Sequence, residues 1–358
     1  MQPIPCQPGS FPFDDHLQFC PRIDLAYLFY VVFYNEFETF IRVESTSLHE
    51  RFAMVLRFSL SITLLILGLA NEATLKAETP AQACKSTVTG TLEIIPLDSK
   101  VFGNKRLLRV WLPPGYSEPV AAAKRYPVLY LFDGQMLFDR CTSQPFPDEW
   151  RVDETMTELI AKKRVEPLIV VGIDNAGPNR TDEYSRYSAV ANAPQKLSAF
   201  MTTEVLPLID GRYRTIGDRA HRGVGGASLA SVAALTLLLD QPDTFGLGLL
   251  ESTSMQNGNG RVLQETSLVV QGPIRVSIGV GTAEVPPTEA AAHGFPYFDA
   301  AFVELNHRLA ENLKKSLMNR PEVKLTVEQG GQHQPKYWSE RFGPAVSFLF
   351  PYEPETQK

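Results

Sequence analysis

The chain has 358 residues and a formal net charge of −6, with 44% hydrophobic and 21% charged residues, ordinary values for a globular protein. The acidic balance, and the lack of any basic run interleaved with aromatics, speak against a nucleic-acid partner. Four cysteines (Cys6, Cys20, Cys84, Cys141) without C-x-x-C spacing and six dispersed histidines without an H-E-x-x-H pattern give no metal signature. Neither a metal nor a cofactor is expected.

Residues 54–83, "MVLRFSLSITLLILGLANEATLKAETPAQA", begin with Met54 and Arg57 and continue into an apolar run from Phe58 to Ala70. Small residues follow, at Gly68-Leu69-Ala70 and Ala81-Gln82-Ala83. A basic start, a short apolar core and a small-residue exit are the layout of a secretory signal peptide. The run is shorter than the roughly 20 residues that cross a bilayer, so a membrane anchor is the lesser reading. The expectation is translation from Met54, a non-native or disordered extension over 1–53, a leader over 54–83 and an exported mature chain (periplasmic or secreted) over 84–358, with no stable membrane insertion. In an oxidising compartment Cys84 and Cys141 can pair.

Beyond residue 86, strands and helices alternate. "TVTGTLEII" and "KRLLRVWL" alternate apolar and polar residues, as half-exposed antiparallel strands do. "YPVLYLFDG" and "PLIVVGIDN" are continuous apolar runs, which suits strands buried on both faces of a mostly parallel sheet. Between them "DEWRVDETMTELIAKK" has helical spacing, and "QKLSAFMTTEVLPLID" is a second helix. Then follow "HRGVGG", a helix from about Leu229, the strands "TFGLGLLES" and "IRVSIGVG", a helix around "FDAAFVELNHRLAENLKKSL", the strand "EVKLTVEQ" and a last helix, "YWSERFGPAVSFLF". Two antiparallel strands followed by alternating strand and helix predict one α/β domain with a mixed sheet.

Gly226-Ala227-Ser228-Leu229-Ala230 is one residue short of the G-x-S-x-G of a nucleophile elbow, a strained strand-to-helix turn that needs small residues around its serine. Alone, such a match more often marks a small residue in a tight turn than a catalytic serine. A serine nucleophile also needs a base, and the base an orienting acid. Downstream, "IRVSIGVGTAE" leads to Glu284 and "VKLTVEQGGQH" to His333, each after a strand, in the order serine, acid, histidine. His307, His293 and His221 are the competing bases, and Glu289 and Asp299 the competing acids. Backbone N–H donors for a developing oxyanion would come from Leu229, next after the serine, and from Gln135, in the Asp133-Gly134-Gln135 turn that ends an early strand.

Together, "YPVLYLFDGQMLFD", "LIVVGIDNAGPNRTDEY", "YRTIGDRAHRGVGGASLASVAAL", "PDTFG", "GTAE" and "GGQHQPKYW" resemble the esterase family of α/β-hydrolases that includes enterochelin esterases, feruloyl and acetyl-xylan esterases, S-formylglutathione hydrolases and mycolyltransferases. The resemblance covers roughly residues 86–350. It implies an α/β-hydrolase fold, a small-molecule ester substrate, Ser228 as nucleophile, Glu284 as acid, His333 as base, and Gln135 and Leu229 as oxyanion donors. Ala230 departs from the family's usual glycine, and Gln334 from a frequent acidic residue. The "DGQ" and "NRTDEY" segments point to the siderophore-esterase branch. A carbohydrate-ester deacylase and a catalytically inactive binding domain of the same fold are the alternatives. Arg180 is assigned to an ion pair with Glu183, with contact to an anionic or catecholate substrate as its other role.

Overall fold

The structure, a computed structural model, describes residues 84–188, 191–285 and 298–354. The expectations for 1–53 and 54–83 lie outside these residues, as do Glu289 and His293.

Eight strands form one sheet: β1 (Thr91–Ser99), β2 (Asn104–Leu112), β3 (Val128–Phe132), β4 (Ile169–Ile173), β5 (Arg222–Ala227), β6 (Leu247–Glu251), β7 (Arg275–Gly281) and β8 (Glu322–Glu328). Their spatial order is β1-β2-β4-β3-β5-β6-β7-β8. The pairings β1–β2 and β2–β4 are antiparallel; from β4 to β8 every pair is parallel. This is the mixed sheet that two alternating runs followed by continuous apolar runs predict. The fully buried strands β3 to β6 have helices over both faces, whereas β1 alternates exposed and covered residues.

The helices are α1 (Val152–Ala161), α2 (Arg180–Tyr184), α3 (Ala193–Ala199), α4 (Leu206–Arg212), α5 (Leu229–Asp240), α6 (Arg261–Thr266), α7 (Phe298–Leu313) and α8 (Pro335–Leu349). A π-helical turn over Phe200–Val205 joins α3 to α4, so the single predicted helix there is continuous but widened in the middle. Strand side chains alternate between two cores. Val128, Tyr130 and Phe132 pack with α3, α4, α5 and α7 on one face; Leu129 and Leu131 pack with α1 and α8 on the other. Helix α5 is buried without a break from Ala230 to Leu238, as expected for a helix that is apolar all round.

Parallel strands put their C-terminal ends on one edge, where open α/β sheets bind ligands. The turn after β3, Ser228 after β5, Ser252–Ser254 after β6, Glu284 after β7 and His333 after β8 all follow strand ends on that edge. Cys84 and Cys141 form a disulfide, which ties the segment before β1 to the loop that follows the β3 turn.

Candidate active site

Between β5 and α5 the chain reverses at a single residue. Ser228 has φ 59° and ψ −127°, a backbone conformation that non-glycine residues rarely adopt and that costs on the order of 1–3 kcal/mol. Hydrogen bonds hold it there: its N–H donates to Glu251 O at 3.0 Å, and its carbonyl accepts from Val232 and Ser254 N–H, each at 3.4 Å. The glycines before it are required by close approach. A Cβ on Gly225 would lie 2.5 Å from Leu249 O, and one on Gly226 would lie 2.8 Å from the Ala230 Cβ. With alanine at position 230, its methyl occupies the space a side chain on Gly226 would need. The Ser228 side chain is partly exposed, and its Oγ lies 3.3 Å from Ser254 Oγ.

Leu229 opens α5, and the first N–H groups of a helix have no intrahelical acceptor. Gln135 sits in a 3₁₀ turn over Gly134–Met136 and precedes its first bond, Met136 N–H to Asp133 O at 3.0 Å. The two residues come from neighbouring strands, because β3 pairs with β5 in the register Leu131↔Gly225. Gly134 admits no side chain: a Cβ would lie 2.6 Å from Gly172 C and Ile173 N.

His333 and Glu284 are brought together from loops after β8 and β7. His333 Nδ1 lies 2.7 Å from Glu284 Oε2, so Nδ1–H donates to the carboxylate and Nε2 is left as the basic nitrogen. The imidazole is wedged edge-on between Trp338 and Phe302, with ring centroids 5.2 and 6.0 Å away. Glu284 Oε1 accepts from Gly281 N–H at 2.5 Å and from Ser252 Oγ at 2.8 Å. Burial pushes the Glu284 carboxyl up, but the hydrogen bond and charge of His333, with the Gly281 and Ser252 donors, outweigh it and hold the group below the usual glutamate range.

Ser252 was not foreseen from the sequence. It is fully buried, and its Oγ accepts from Trp338 Nε1 at 2.9 Å and Arg341 Nη2 at 3.3 Å while donating to Glu284. Arg341 is in turn held by Glu251, at 2.6 Å, and by Glu328. Burial pushes Glu251 up to about 7 despite the guanidinium beside it. The only sequence signal for this network is the run of small polar residues after β6, "ESTS", and Trp338 five residues past His333.

One assignment is corrected. Arg180 pairs with Asp133, not with Glu183: Nη2 lies 2.8 Å from Oδ2 and Nε 3.0 Å from Oδ1. Glu183 pairs instead with the buried Arg106 at 2.7 Å. The two are neighbours on one helix face, but each meets a buried partner of opposite charge from the sheet, Arg106 of β2 for Glu183 and Asp133 of the turn after β3 for Arg180. Among the competing residues, His221 is paired with Asp218 at 2.8 Å, His307 lies within α7, and Asp299 accepts the Val285 N–H at 2.9 Å.

An eight-stranded mixed sheet flanked by helices, with a strained serine turn after a central strand, defines an α/β-hydrolase. A model of the family described as "Putative esterase" matches residues 99–349, and the chain belongs to that family of ester hydrolases. It is 23% identical to protein YbbA of Bacillus subtilis (strain 168) over 259 residues, 69% of this chain and 93% of that one. It is 28% identical over 163 residues to an endo-1,4-beta-xylanase/feruloyl esterase of Xylanibacter ruminicola, a match covering 45% of this chain and 21% of the relative. Among solved structures, the enterobactin esterase FES from Shigella flexneri superposes with a TM-score of 0.57 at 18% identity. That superposition covers 75% of this chain but only 61% of the Shigella chain.

Proposed function

We propose that this protein is an exported serine esterase in which Ser228 is the nucleophile, His333 the base and Glu284 the orienting acid. The single observation that carries the reading is the His333–Glu284 contact of 2.7 Å on the strand edge that also bears the strained Ser228 turn. In the resting state Ser228 Oγ meets Ser254. No hydrogen bond joins Ser228 to His333 among the described residues, and the reaction requires Oγ to leave Ser254 for His333 Nε2. Oγ attacks the ester carbonyl as its proton passes to Nε2, and the Glu284 carboxylate stabilises the imidazolium without taking the proton. The developing oxyanion is met by the Gln135 and Leu229 N–H groups. Collapse expels the alcohol, which takes the proton back from Nε2. Water, activated by the same nitrogen, then releases the acid from the acyl-enzyme.

The substrate class proposed is a siderophore-type ester, supported by the "DGQ" and "NRTDEY" segments and by the fold shared with the Shigella enterobactin esterase. A carbohydrate-linked feruloyl ester is the second reading, supported by the identity with the Xylanibacter enzyme. Export is supported by the Cys84–Cys141 disulfide, since such bonds persist in oxidising compartments.

A fluorophosphonate probe tests the chemistry. It is expected to label the wild type at Ser228, and Ser228→Ala is expected to stay folded while losing labelling and hydrolysis together. Turnover retained by folded Ser228→Ala rules out the nucleophile, and an unlabelled wild type points to the inactive binding domain. Parallel assays with ferric catecholate lactones and feruloyl esters decide between the two substrate classes.

A further inference from the structure

Arg180 has no part in the proton transfers, and its guanidinium is committed to a neighbouring carboxylate rather than held out for a ligand. We propose that Arg180 is a positioning residue: by clamping Asp133 it fixes the turn that presents the Gln135 N–H to the oxyanion. The inference rests on the serine-esterase reading above.

The turn needs a clamp because of its backbone. Asp133 has φ 58° and ψ 45°, in the left-handed region that disfavours side chains. A residue in such a conformation stays there only when its surroundings over-determine it. Asp133 is 3% exposed, and both carboxylate oxygens are engaged. Arg180 grips them as a fork, Nε to Oδ1 at 3.0 Å and Nη2 to Oδ2 at 2.8 Å, while Asn175 Nδ2 donates to Oδ1 at 2.8 Å. The Asp133 N–H donates to Tyr184 Oη at 3.3 Å, and the Arg180 guanidinium lies 5.5 Å from the Tyr184 ring centre. Helix α2 therefore holds both the side chain and the backbone of Asp133.

Asp133 is two residues before the donor. Gly134, between them, lies close against Gly172 and Ile173, with no room for a side chain. Gln135 is fixed on its far side: its Oε1 accepts from Asn175 N–H at 3.3 Å and its carbonyl from Thr142 Oγ1 at 2.7 Å. Asn175 thus touches both Asp133 and Gln135. The Arg180 fork is the charge-assisted member of this set, and two parallel bonds fix an orientation that a point charge does not. Loss of the fork leaves the left-handed φ of Asp133 held only by the Asn175 and Tyr184 bonds, and sets the Gly134–Gln135 peptide less firmly.

The two possible roles of Arg180 separate in kinetics. A substrate contact acts on KM for anionic esters; a clamp on the oxyanion turn acts on kcat for every ester, neutral ones included. The experiment measures kcat and KM for neutral p-nitrophenyl acetate and an anionic p-nitrophenyl hemiester with Arg180→Gln, Arg180→Lys, Asp133→Asn and the Arg180→Gln/Asp133→Asn pair. Removal of an oxyanion donor typically costs about 10²–10³ in kcat, and its misplacement is expected to cost ~10–10²-fold. Arg180→Gln is expected to lower kcat by that factor on both esters with KM nearly unchanged. The pair is expected to be no worse than the poorer single, because the two changes break one interaction. If Arg180→Gln does not fold, Arg180→Lys, which keeps the charge and loses the fork, carries the test with an expected several-fold fall in kcat on both esters.

Unchanged kcat on the neutral ester with a raised KM for the anionic one overturns the clamp and returns Arg180 to substrate binding. Additive losses in the pair also overturn it. Fluorophosphonate labelling separates failure here from failure of the esterase reading. An unlabelled wild type overturns both, whereas a labelled wild type with Arg180→Gln labelled at the same rate overturns the clamp alone.

Discussion

Glu284 is a carboxylate with three donors, from Gly281, Ser252 and His333. Its side chain is 1% exposed beside a His333 side chain at 31%, so the carboxylate is sealed from water while the imidazole is partly open to solvent. Replacing it with glutamine keeps the shape but removes the negative charge and turns an NH2 toward neighbours that are all donors. Glu284→Gln is expected to lower kcat by about 10²–10⁴ with little change in KM, less than loss of the nucleophile, because the acid orients and stabilises the imidazole rather than taking the proton. Asp299→Asn is expected to stay near wild type, since the amide oxygen can still accept the Val285 N–H. Steady-state kinetics on a p-nitrophenyl ester decide the matter. A near-normal Glu284→Gln with a crippled Asp299→Asn places the acid elsewhere, and near-normal rates for both leave a Ser228–His333 dyad.

At the scale of the element, α1 carries a buried acid in its first turn. Asp153 is fully buried and accepts the Thr89 N–H just ahead of β1. Burial, offset in part by that N–H and reinforced by the Glu154 charge, pushes its carboxyl up to about 8. In the unfolded chain the same group titrates near 3.9. The folded state therefore keeps a proton that the unfolded state has released, and the unfolded state gains from each rise in pH between those values. Stability from this group is greatest below about pH 4 and falls as pH rises toward 8. Asp153→Asn retains an acceptor for Thr89 and removes the titration. It is expected to melt like the wild type near pH 4 and at a higher temperature than the wild type at pH 8. Parallel melting curves at the two pH values, measured by thermal denaturation, overturn this account.

For the molecule as a whole, Cys84–Cys141 closes a loop between residues 57 apart in sequence. It anchors the start of the described chain beside the loop whose Thr142 hydroxyl holds the Gln135 carbonyl. A loop of this size is worth about 2–4 kcal/mol, which for a domain of this length corresponds to a fall of roughly 4–16 °C in Tm when the bond is lost. Cys84→Ser/Cys141→Ser, compared with the wild type by calorimetry without reductant, is expected to show that fall. An unchanged Tm means the segment before β1 is held by its hydrogen bonds to Asp139, Glu149 and Asp153 alone.

The order of elements and the residues at their ends are legible in the chain's local patterns. Strand and helix periods are local properties, so β1 to β8 and the long helices follow from runs of a few residues. The glycines around Ser228 advertise a strained turn, and Glu284 and His333 are legible as residues that follow strands. What meets across the strand edge is set by the assembled sheet. Arg180 and Glu183 are three residues apart on one helix, a spacing that suggests a mutual pair, yet β2 supplies Arg106 to one and the β3 turn supplies Asp133 to the other. Ser252 and Arg341 are 89 residues apart and lie on a strand end and a helix; their contact exists because β6 borders β7 and α8 packs beneath both. Partners of this kind are chosen by the sheet order β5-β6-β7-β8 and by the need of buried charges for neighbours, neither of which any local stretch of residues encodes.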